Sequence, residues 1–423
     1  MSLLNDPRAF LTNLFHTAVA AADPMKALAA HLPERPKGKT IVVGAGKGAA
    51  QLAAAFESLW DGPVGGVVVT RYGYACPTRH VEVLEANHPV PDANGLAASE
   101  RLLSTVAGLT SEDLVVALVC GGGSALLPAP PLGLTLADEI AVNEALLASG
   151  APIGQMNAVR KHLSRIKGGR LAAAAHPAKV VSLVVSDIPG DDPALVASGP
   201  TVPDPADRHA ALAIVERYAM ALPSAVMAHL HSPAAAAPLP GDAVFAGHQV
   251  KVVASARLSL EAAAAQAREA GVQAVILSDA IEGEARDIGR MHGAIAREIA
   301  TQGSPFAAPV VLLSGGETTV KVRTSGRGGR NGELALAMGQ DLAGLSGVTA
   351  LAADTDGIDG TEDNAGAFVD GTTWQRLVDA GQDPHARLAQ NDSWGAFDTL
   401  GDLFVTGPTG TNVNDFRAVL VTG

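Results

Sequence analysis

Residues 39–56 read KTIVVGAGKGAAQLAAAF, and this stretch decides the class of fold. An apolar run suits a buried strand, Gly44, Gly46 and Gly48 make a turn around Lys47, and an alanine-rich segment continues as a helix. In a strand-turn-helix of this kind, backbone N–H groups and the helix dipole point at an anion. Gly44, Gly46 and Ala49 also satisfy G-x-G-x-x-G/A, the loose dinucleotide fingerprint, which keeps a nicotinamide cofactor open. Against that cofactor, the next apolar run ends at Arg71, where an acid for the ribose is expected. Lys47 is followed by Gly48 and not by the Ser or Thr of a Walker A loop. A lysine inside such a turn places a point charge for phosphate; the plainer alternative is a solvated lysine on a tight turn.

Working outward, residues 114–127, LVVALVCGGGSALL, repeat the pattern. Gly121, Gly122 and Gly123 with Ser124 at the helix entry form a second candidate phosphate cradle, the serine hydroxyl serving as an N-cap. Between the two lies NHPVPD at 87–92, whose prolines fix an extended loop. Residues 157–171, NAVRKHLSRIKGGRL, read as the most basic helical segment of the chain, for most of its charges a solvated face. A run at 180–185 leads into SDIPGDD, which puts Asp187 just beyond the carboxyl end of a buried strand. Open α/β sheets bind ligands at that position. Asp187 is a candidate to accept a proton or hold a metal, or else forms an Asx-turn before Pro189.

The chain has 423 residues, a formal charge of -13, 48% hydrophobic and 17% charged residues, which indicates a globular protein of two domains. With 4% aromatics the core must rest on Ala, Val and Leu. No apolar run is long enough to cross a bilayer, so no membrane association is expected. The acidic balance carries no broad nucleic-acid footprint. Two cysteines, Cys76 and Cys120, cannot make a disulfide framework, and the start lacks the features of a secretory signal, so a cytoplasmic protein is expected. PAAAAPLP at 233–240 has the composition of a linker and sets the expected boundary: one domain over 1–235, a second over 241–423.

The second half alternates strands and helices again, the first strand expected at 249–254. It then reaches residues 310–333, VVLLSGGETTVKVRTSGRGGRNGE. A buried strand breaks at Ser314-Gly315-Gly316; Glu317 follows, then an alternating segment at 318–322 read as a strand. A glycine-rich loop with Arg323, Arg327 and Arg330 comes next. Glycine admits close approach of a ligand, and guanidinium forks fit carboxylate and phosphate oxygens. In an acidic chain this local cationic concentration marks a candidate anion site, with a mobile surface hairpin as the alternative. Residues 349–370 place Asp354, Asp356 and Asp359 after another buried strand. The spacing misses the EF-hand pattern, whereas magnesium held by one or two of these acids together with nucleotide phosphates suits it better. Asn412, Asn414 and Asp415 sit in a glycine loop before the last strand, where asparagines bind substrate hydroxyls or carboxylate, or merely close a hairpin.

Taken together, VVGAGKGA, NHPVPD, CGGGSALL, NAVRKHLSRIKGGRLA, SDIPGDD, ASGPTVPDP, SGGETTV, GRGGRNGELAL, AADTDGIDGTEDNAGAFVD and GPTGTNVND resemble the glycerate kinases that carry a MOFRL domain, older members of which bear the name hydroxypyruvate reductase. The resemblance spans nearly the whole chain and departs near Ala256, where an asparagine is expected. It implies a Rossmann-like doubly wound first α/β domain, a smaller second α/β domain with the MOFRL region at about 307–420, and an active site in the cleft between them. It further implies transfer of the γ-phosphoryl of ATP to D-glycerate, giving 2-phosphoglycerate, with Mg2+ as the metal. By this similarity the polar cleft residues are Lys47, Asp187, Glu317, Arg330, Asp354 and Asn414. Lys47 and Arg330 then neutralise the transferring group or the glycerate carboxylate, Asp187 accepts the hydroxyl proton, and Asp354 with Asp356 are the metal candidates. Two rivals stand beside it: an NAD(P)H-dependent hydroxypyruvate reductase, and a non-catalytic sugar-acid binding protein. A homodimer is left open.

Overall fold

The computed structural model describes residues 6–423, which form two compact units. The first, Pro24–Val253, is built on a six-stranded sheet in the order β3-β2-β1-β4-β5-β6. Its strands are β1 (Thr40–Ala45), β2 (Gly65–Arg71), β3 (Val81–Ala86), β4 (Leu114–Cys120), β5 (Lys179–Val185) and β6 (Gln249–Ala254). Strands β1 to β5 run parallel. Helices cover both faces of such a sheet, so its central strands must be apolar throughout, and all seven residues of β4 are buried. The chain winds outward from β1 to β3 and then restarts on the other side of β1 with β4, which makes the β1/β4 boundary the topological switch point. Helices Leu136–Ala148, Ile153–His162, Arg208–Arg217 and Ser224–His231 close a smaller core around Leu146, Val159, Val215 and Leu230.

The second unit joins Ala254–Gly423 to the described residues before Pro24. Its strands are β7 (Gln273–Ser278), β8 (Gly283–Glu284), β9 (Val310–Gly316), β10 (Thr318–Thr319), β11 (Val348–Asp354), β12 (Gly366–Asp370), β13 (Leu403–Phe404) and β14 (Asp415–Val421). The sheet order is β13-β12-β11-β14-β9-β7, with β8 and β10 as a separate parallel pair. Central β14 is antiparallel to both β9 and β11, while edge β7 is parallel to β9. Side-chain alternation sorts two cores: Val310, Leu312, Ala350, Ala352, Val419 and Val421 face one layer, and Val311, Leu313, Leu351, Ala353, Ala418 and Leu420 the other. Helix Arg330–Leu342 contributes Leu334 and Met338 to the first layer and helix Ala285–Gln302 contributes Ala296 and Ile299. The other layer takes Phe10, Leu14 and Phe15 of helix Pro7–Ala21 and Leu260 and Ala264 of helix Ala256–Glu269.

Four expectations change. The first helix packs in the second unit, not the first, because its apolar stripe meets β11, β14 and helix Ala256–Glu269. Residues 249–254 form the edge of the first sheet, so the division falls at Val253 and not in 233–240. The linker-like segment is itself packed: Ala235 is buried, its carbonyl meets His162 Nδ1 at 2.7 Å, and the Ala236 carbonyl accepts from Arg170 at 2.7 Å. The strand expected at 318–322 is only Thr318–Thr319, since residues beyond it turn out to solvent. Among the described residues no helix is long and apolar enough to cross a membrane.

Candidate active site

In the first unit the turn after β1 is locked to the turn after β4. Lys47 N–H donates to the Gly121 carbonyl at 2.8 Å, Gly48 N–H reaches Cys120 Sγ at 3.2 Å, and Thr70 Oγ1 donates to the Lys47 carbonyl at 3.0 Å. Gly46 has φ 137, and a Cβ there would lie 2.4 Å from the Cys120 carbonyl oxygen. The fingerprint glycine is thus required by the packing of the two turns on each other, whether or not a dinucleotide binds. Asp187, two residues past β5, lays its carboxylate over the next turn: a Cβ on Gly121 would be 1.9 Å from Asp187 Oδ2. Only glycine at 121 leaves room for that acid.

Lys47 and Asp187 both act on the buried Cys120 thiol, which burial pushes up to about 12, Asp187 adding to the rise and Lys47 opposing it. His88 joins them, because a Cβ on Gly122 (φ 82) would meet Lys47 Cγ at 3.0 Å and His88 Nε2 at 3.2 Å. Burial, then the charges of Lys47 and Arg71, push His88 down to about 4, so its imidazole is neutral at physiological pH. Lys47, His88 and Asp187 therefore gather at the carboxyl ends of β1, β4 and β5, beside the switch point. Ser124 does not cap a helix as expected. The N-cap position is Gly122, and the Ser124 hydroxyl is 2.7 Å from Ser198 Oγ. A cavity of about 480 Å³ beside Arg35, Lys39, Thr40 and Trp60 lies at the opposite, amino end of β1 and takes no part in this cluster.

In the second unit Arg330 is the first residue of helix Arg330–Leu342 and sits among three carboxylates. Its Nη1 is 2.9 Å from Glu317, its Nη2 2.7 Å from Asp354 and its Nε 2.7 Å from Asp415. These acids come from adjacent chain ends: Asp415 opposes Gly316 on one side and Asp354 on the other. Burial alone would lower the arginine pKa, but Asp415 and Asp354 carry it above the ordinary range. Burial raises Asp354 well above the usual carboxylate range, with Asp356 adding and Arg330 opposing. The guanidinium expected to serve a candidate anion site is thus already engaged by three acids of the protein itself. Arg417, fully buried, supports Asp415 and donates to the Gly315 carbonyl at 3.0 Å.

Asn331 and Asp359 complete the arrangement. Asn331 Nδ2 donates to Asp415 at 2.8 Å, while the Asp359 carboxylate accepts the N–H groups of Asn331 at 2.9 Å and Gly332 at 2.8 Å. Burial still pushes Asp359 up to about 6. A cleft of about 280 Å³ lined by Thr318, Gly328, Arg330, Glu333 and Asn391 opens beside this helix start, and the buried Thr318 hydroxyl has no hydrogen-bond partner there.

Asp354 and Asp356, the two metal candidates, are both engaged by groups of the protein. Asp354 bonds Arg330 and the Asp356 N–H (3.1 Å), Asp356 bonds the Ile358 N–H (2.9 Å) and Asn412 Nδ2 (3.2 Å), and no described group of three His, Cys, Asp or Glu side chains is placed to hold an ion. Asn414 is buried with φ 67, and its carbonyl takes both the N–H (3.1 Å) and the hydroxyl (2.7 Å) of Thr355. Arg323 is exposed, and Arg327 stacks 3.5 Å over Trp394 beside Glu362.

Residues 10–231 match the model of a domain of unknown function, DUF4147, and residues 310–415 match the MOFRL family. A protein of Agrobacterium vitis, provisionally named a hydroxypyruvate reductase, is 53% identical over 98% of this chain and 94% of its own. The D-glycerate 2-kinase of Thermotoga maritima is 40% identical over 96% of either chain. The crystal structure of glycerate kinase from Thermotoga maritima superposes with a TM-score of 0.90 at 38% identity, covering 98% of this chain and 99% of that one. The chain, which joins the DUF4147 match to the MOFRL match, belongs to the glycerate kinase family.

Proposed function

We propose that this protein transfers the γ-phosphoryl group of ATP to D-glycerate, giving 2-phosphoglycerate and ADP. The observation that carries the reading is the Lys47–Asp187 cluster at the switch point of a doubly wound sheet, in a chain 40% identical to a protein named D-glycerate 2-kinase. Phosphoryl transfer asks for in-line positioning and cationic cover of the equatorial oxygens. In this reading Lys47 supplies that charge, and the turns at Gly44 to Gly48 and Gly121 to Gly123 let backbone approach the phosphates. The attacking hydroxyl of glycerate forms the new O–P bond as the β,γ-bridging bond breaks, and its proton passes to Asp187. Mg2+ enters bound to the nucleotide phosphates, and no step is assigned to it through Asp354 or Asp356. Within the second unit, Arg330 holds Glu317, Asp354 and Asp415 in register.

The reductase alternative is favoured by one relative's provisional name. Its nicotinamide would need an acid after β2, which ends instead in Arg71. Incubation with MgATP and D-glycerate should release ADP, with phosphorus NMR identifying 2-phosphoglycerate. Oxidation of NADH or NADPH by hydroxypyruvate, with no ADP release from glycerate, would overturn the proposal.

A further inference from the structure

The basic stretch at 157–171 is not the solvated helix face its composition suggests. The helix ends at His162, Gly168 and Gly169 take φ 62 and 81, and a new short helix starts at Arg170. Its charges are then sorted one by one. Lys161 and Lys167, both about 1% exposed, bond Asp204 and Glu139. Arg165 pairs with Glu100, and Arg170 donates to the carbonyls of Lys161 (3.4 Å) and Ala236 (2.7 Å). Arg170 thus has no carboxylate partner among the described residues, and neither has Arg160, which is held instead by neutral side-chain amides: Nε donates to Asn143 Oδ1 at 2.9 Å and Nη1 to Asn157 Oδ1 at 3.0 Å.

No described carboxylate lies within ion-pairing distance of Arg160, which is half-buried; Glu139, whose field does reach it, is already bonded to Lys167 at 2.6 Å. A charge partly withdrawn from water with no countercharge is unfavourable, and such groups are usually paired. The neighbours are equally specific. Ser198 donates to the same atom as Arg160, Asn157 Oδ1, at 2.9 Å, while Asn157 Nδ2 is fixed on the Leu195 carbonyl at 3.0 Å. With its own proton committed to Asn157, Ser198 must accept from Ser124, so the hydroxyl at the second glycine turn has no proton left for a ligand. Ala197, Ser198 and Gly199 hold φ 53, 59 and 57 in succession, a strained run kept by these bonds and by Gly168 and Gly169 N–H donors to the Ser198 and Gly199 carbonyls. The glycine turn after β4 is thereby coupled to one orientation of the Arg160 guanidinium.

We propose that Arg160 binds an oxyanion of the reactants, a carboxylate or a phosphate, beside the Gly121–Ser124 turn. The proposal rests on the kinase reading for the identity of that anion, not for its existence. An oxyanion supplies the countercharge that the protein withholds, and a guanidinium edge held by two amides is already oriented to receive it.

The test compares the wild type with Arg160→Gln, Arg160→Lys and, as a control on a paired arginine of the same stretch, Arg165→Gln. Arg160→Gln should raise one KM roughly tenfold to a hundredfold, that for D-glycerate if the anion is its carboxylate or that for ATP if it is a phosphate. Arg160→Lys should lie between, and Arg165→Gln should match the wild type. Arg160→Gln with a lowered Tm and both KM values within about twofold of wild type would show a purely structural residue and overturn the proposal. Should the protein prove not to be a kinase, thermal shift decides separately: D-glycerate or inorganic phosphate should raise the wild-type Tm and leave that of Arg160→Gln unmoved. An equal shift in both proteins, or none in the wild type, would equally overturn it. If Arg160→Gln does not fold, Arg160→Lys carries the same comparisons.

Discussion

Arg330 holds one positive charge between Glu317, Asp354 and Asp415, with Asp354 and Asp415 both buried. Removing one partner of such a buried cluster strands the others, typically at about 3–5 kcal/mol. Arg330→Ala should therefore lower both kcat and stability, and adding Asp354→Asn should recover part of the stability but not the activity. Arg323→Ala, on an exposed side chain, should match the wild type in a urea unfolding curve and in turnover. A second residue sets an acid limit. His292 Nδ1 is 2.8 Å from the Ile288 carbonyl and its Nε2 2.8 Å from Ser314 Oγ, and burial, with Arg417 adding, pushes its pKa down to about 4. The folded state thus refuses a proton that the unfolded chain takes at its ordinary pKa near 6.5. The contribution is complete above that value and lost as pH falls towards about 4, on the order of 3 kcal/mol, so His292→Gln should flatten the fall in unfolding free energy over this window. Lys47, Asp187 and Arg330 stand out as candidates in the sequence because glycines or a strand end flank them. Asp359 and Asp415 stand out only as acids of glycine loops and Asn331 not at all, since Asn331 meets Asp415 across 84 positions and no local pattern announces such a bond.

Helices Ala285–Gln302 and Arg330–Leu342 meet backbone against backbone at two glycines of the first of them. A Cβ on Gly289 would lie 2.2 Å from the Leu334 carbonyl oxygen, and one on Gly293 3.0 Å from that of Met338. Helix propensity alone favours alanine by about 1 kcal/mol, whereas overpacking against backbone costs typically about 1–3 kcal/mol, so the clash decides the sign. Gly289→Ala should lower the Tm and, by tilting the helix that begins at Arg330, the turnover as well. Gly154→Ala, in helix Ile153–His162 with only ordinary contacts near 3.8 Å to Leu195, should leave the Tm unchanged or raise it. Calorimetry on the two variants separates packing from propensity. The repeated strand-glycine-helix units were readable from their periodicity, as was the buried run of β9. Two elements were not. The basic segment reads as one helix because its charges mask a break that only the left-handed glycines reveal, and 318–322 alternates like a strand without a neighbour to pair it beyond Thr319.

At the scale of the molecule, two α/β units were evident from composition and alternation, but the path of the chain through them was not. An amphipathic helix announces that one face is buried without saying which sheet it covers, and proline-alanine composition marks a linker only when nothing packs on it. Helix Pro7–Ala21 crosses to the second unit, where the Phe15 ring meets those of Phe404 and Phe416 edge-on at 5.0 and 5.8 Å. The second unit is therefore assembled from both ends of the chain, with the whole of Pro24–Val253 inserted between its first helix and the rest. Phe15 is fully buried, and truncating a buried phenylalanine costs about 3–5 kcal/mol. Phe15→Ala should consequently speed hydrogen exchange in β11, β14 and helix Ala256–Glu269, the strands lying 333 and 400 positions away in sequence, while β1 and β4, 25 and 99 positions from the mutation, stay protected. Nearness along the chain predicts the reverse order. If β1 and β4 lost protection first, the first helix would belong with the sheet that follows it in sequence, and the division of the molecule drawn from its packing would be wrong.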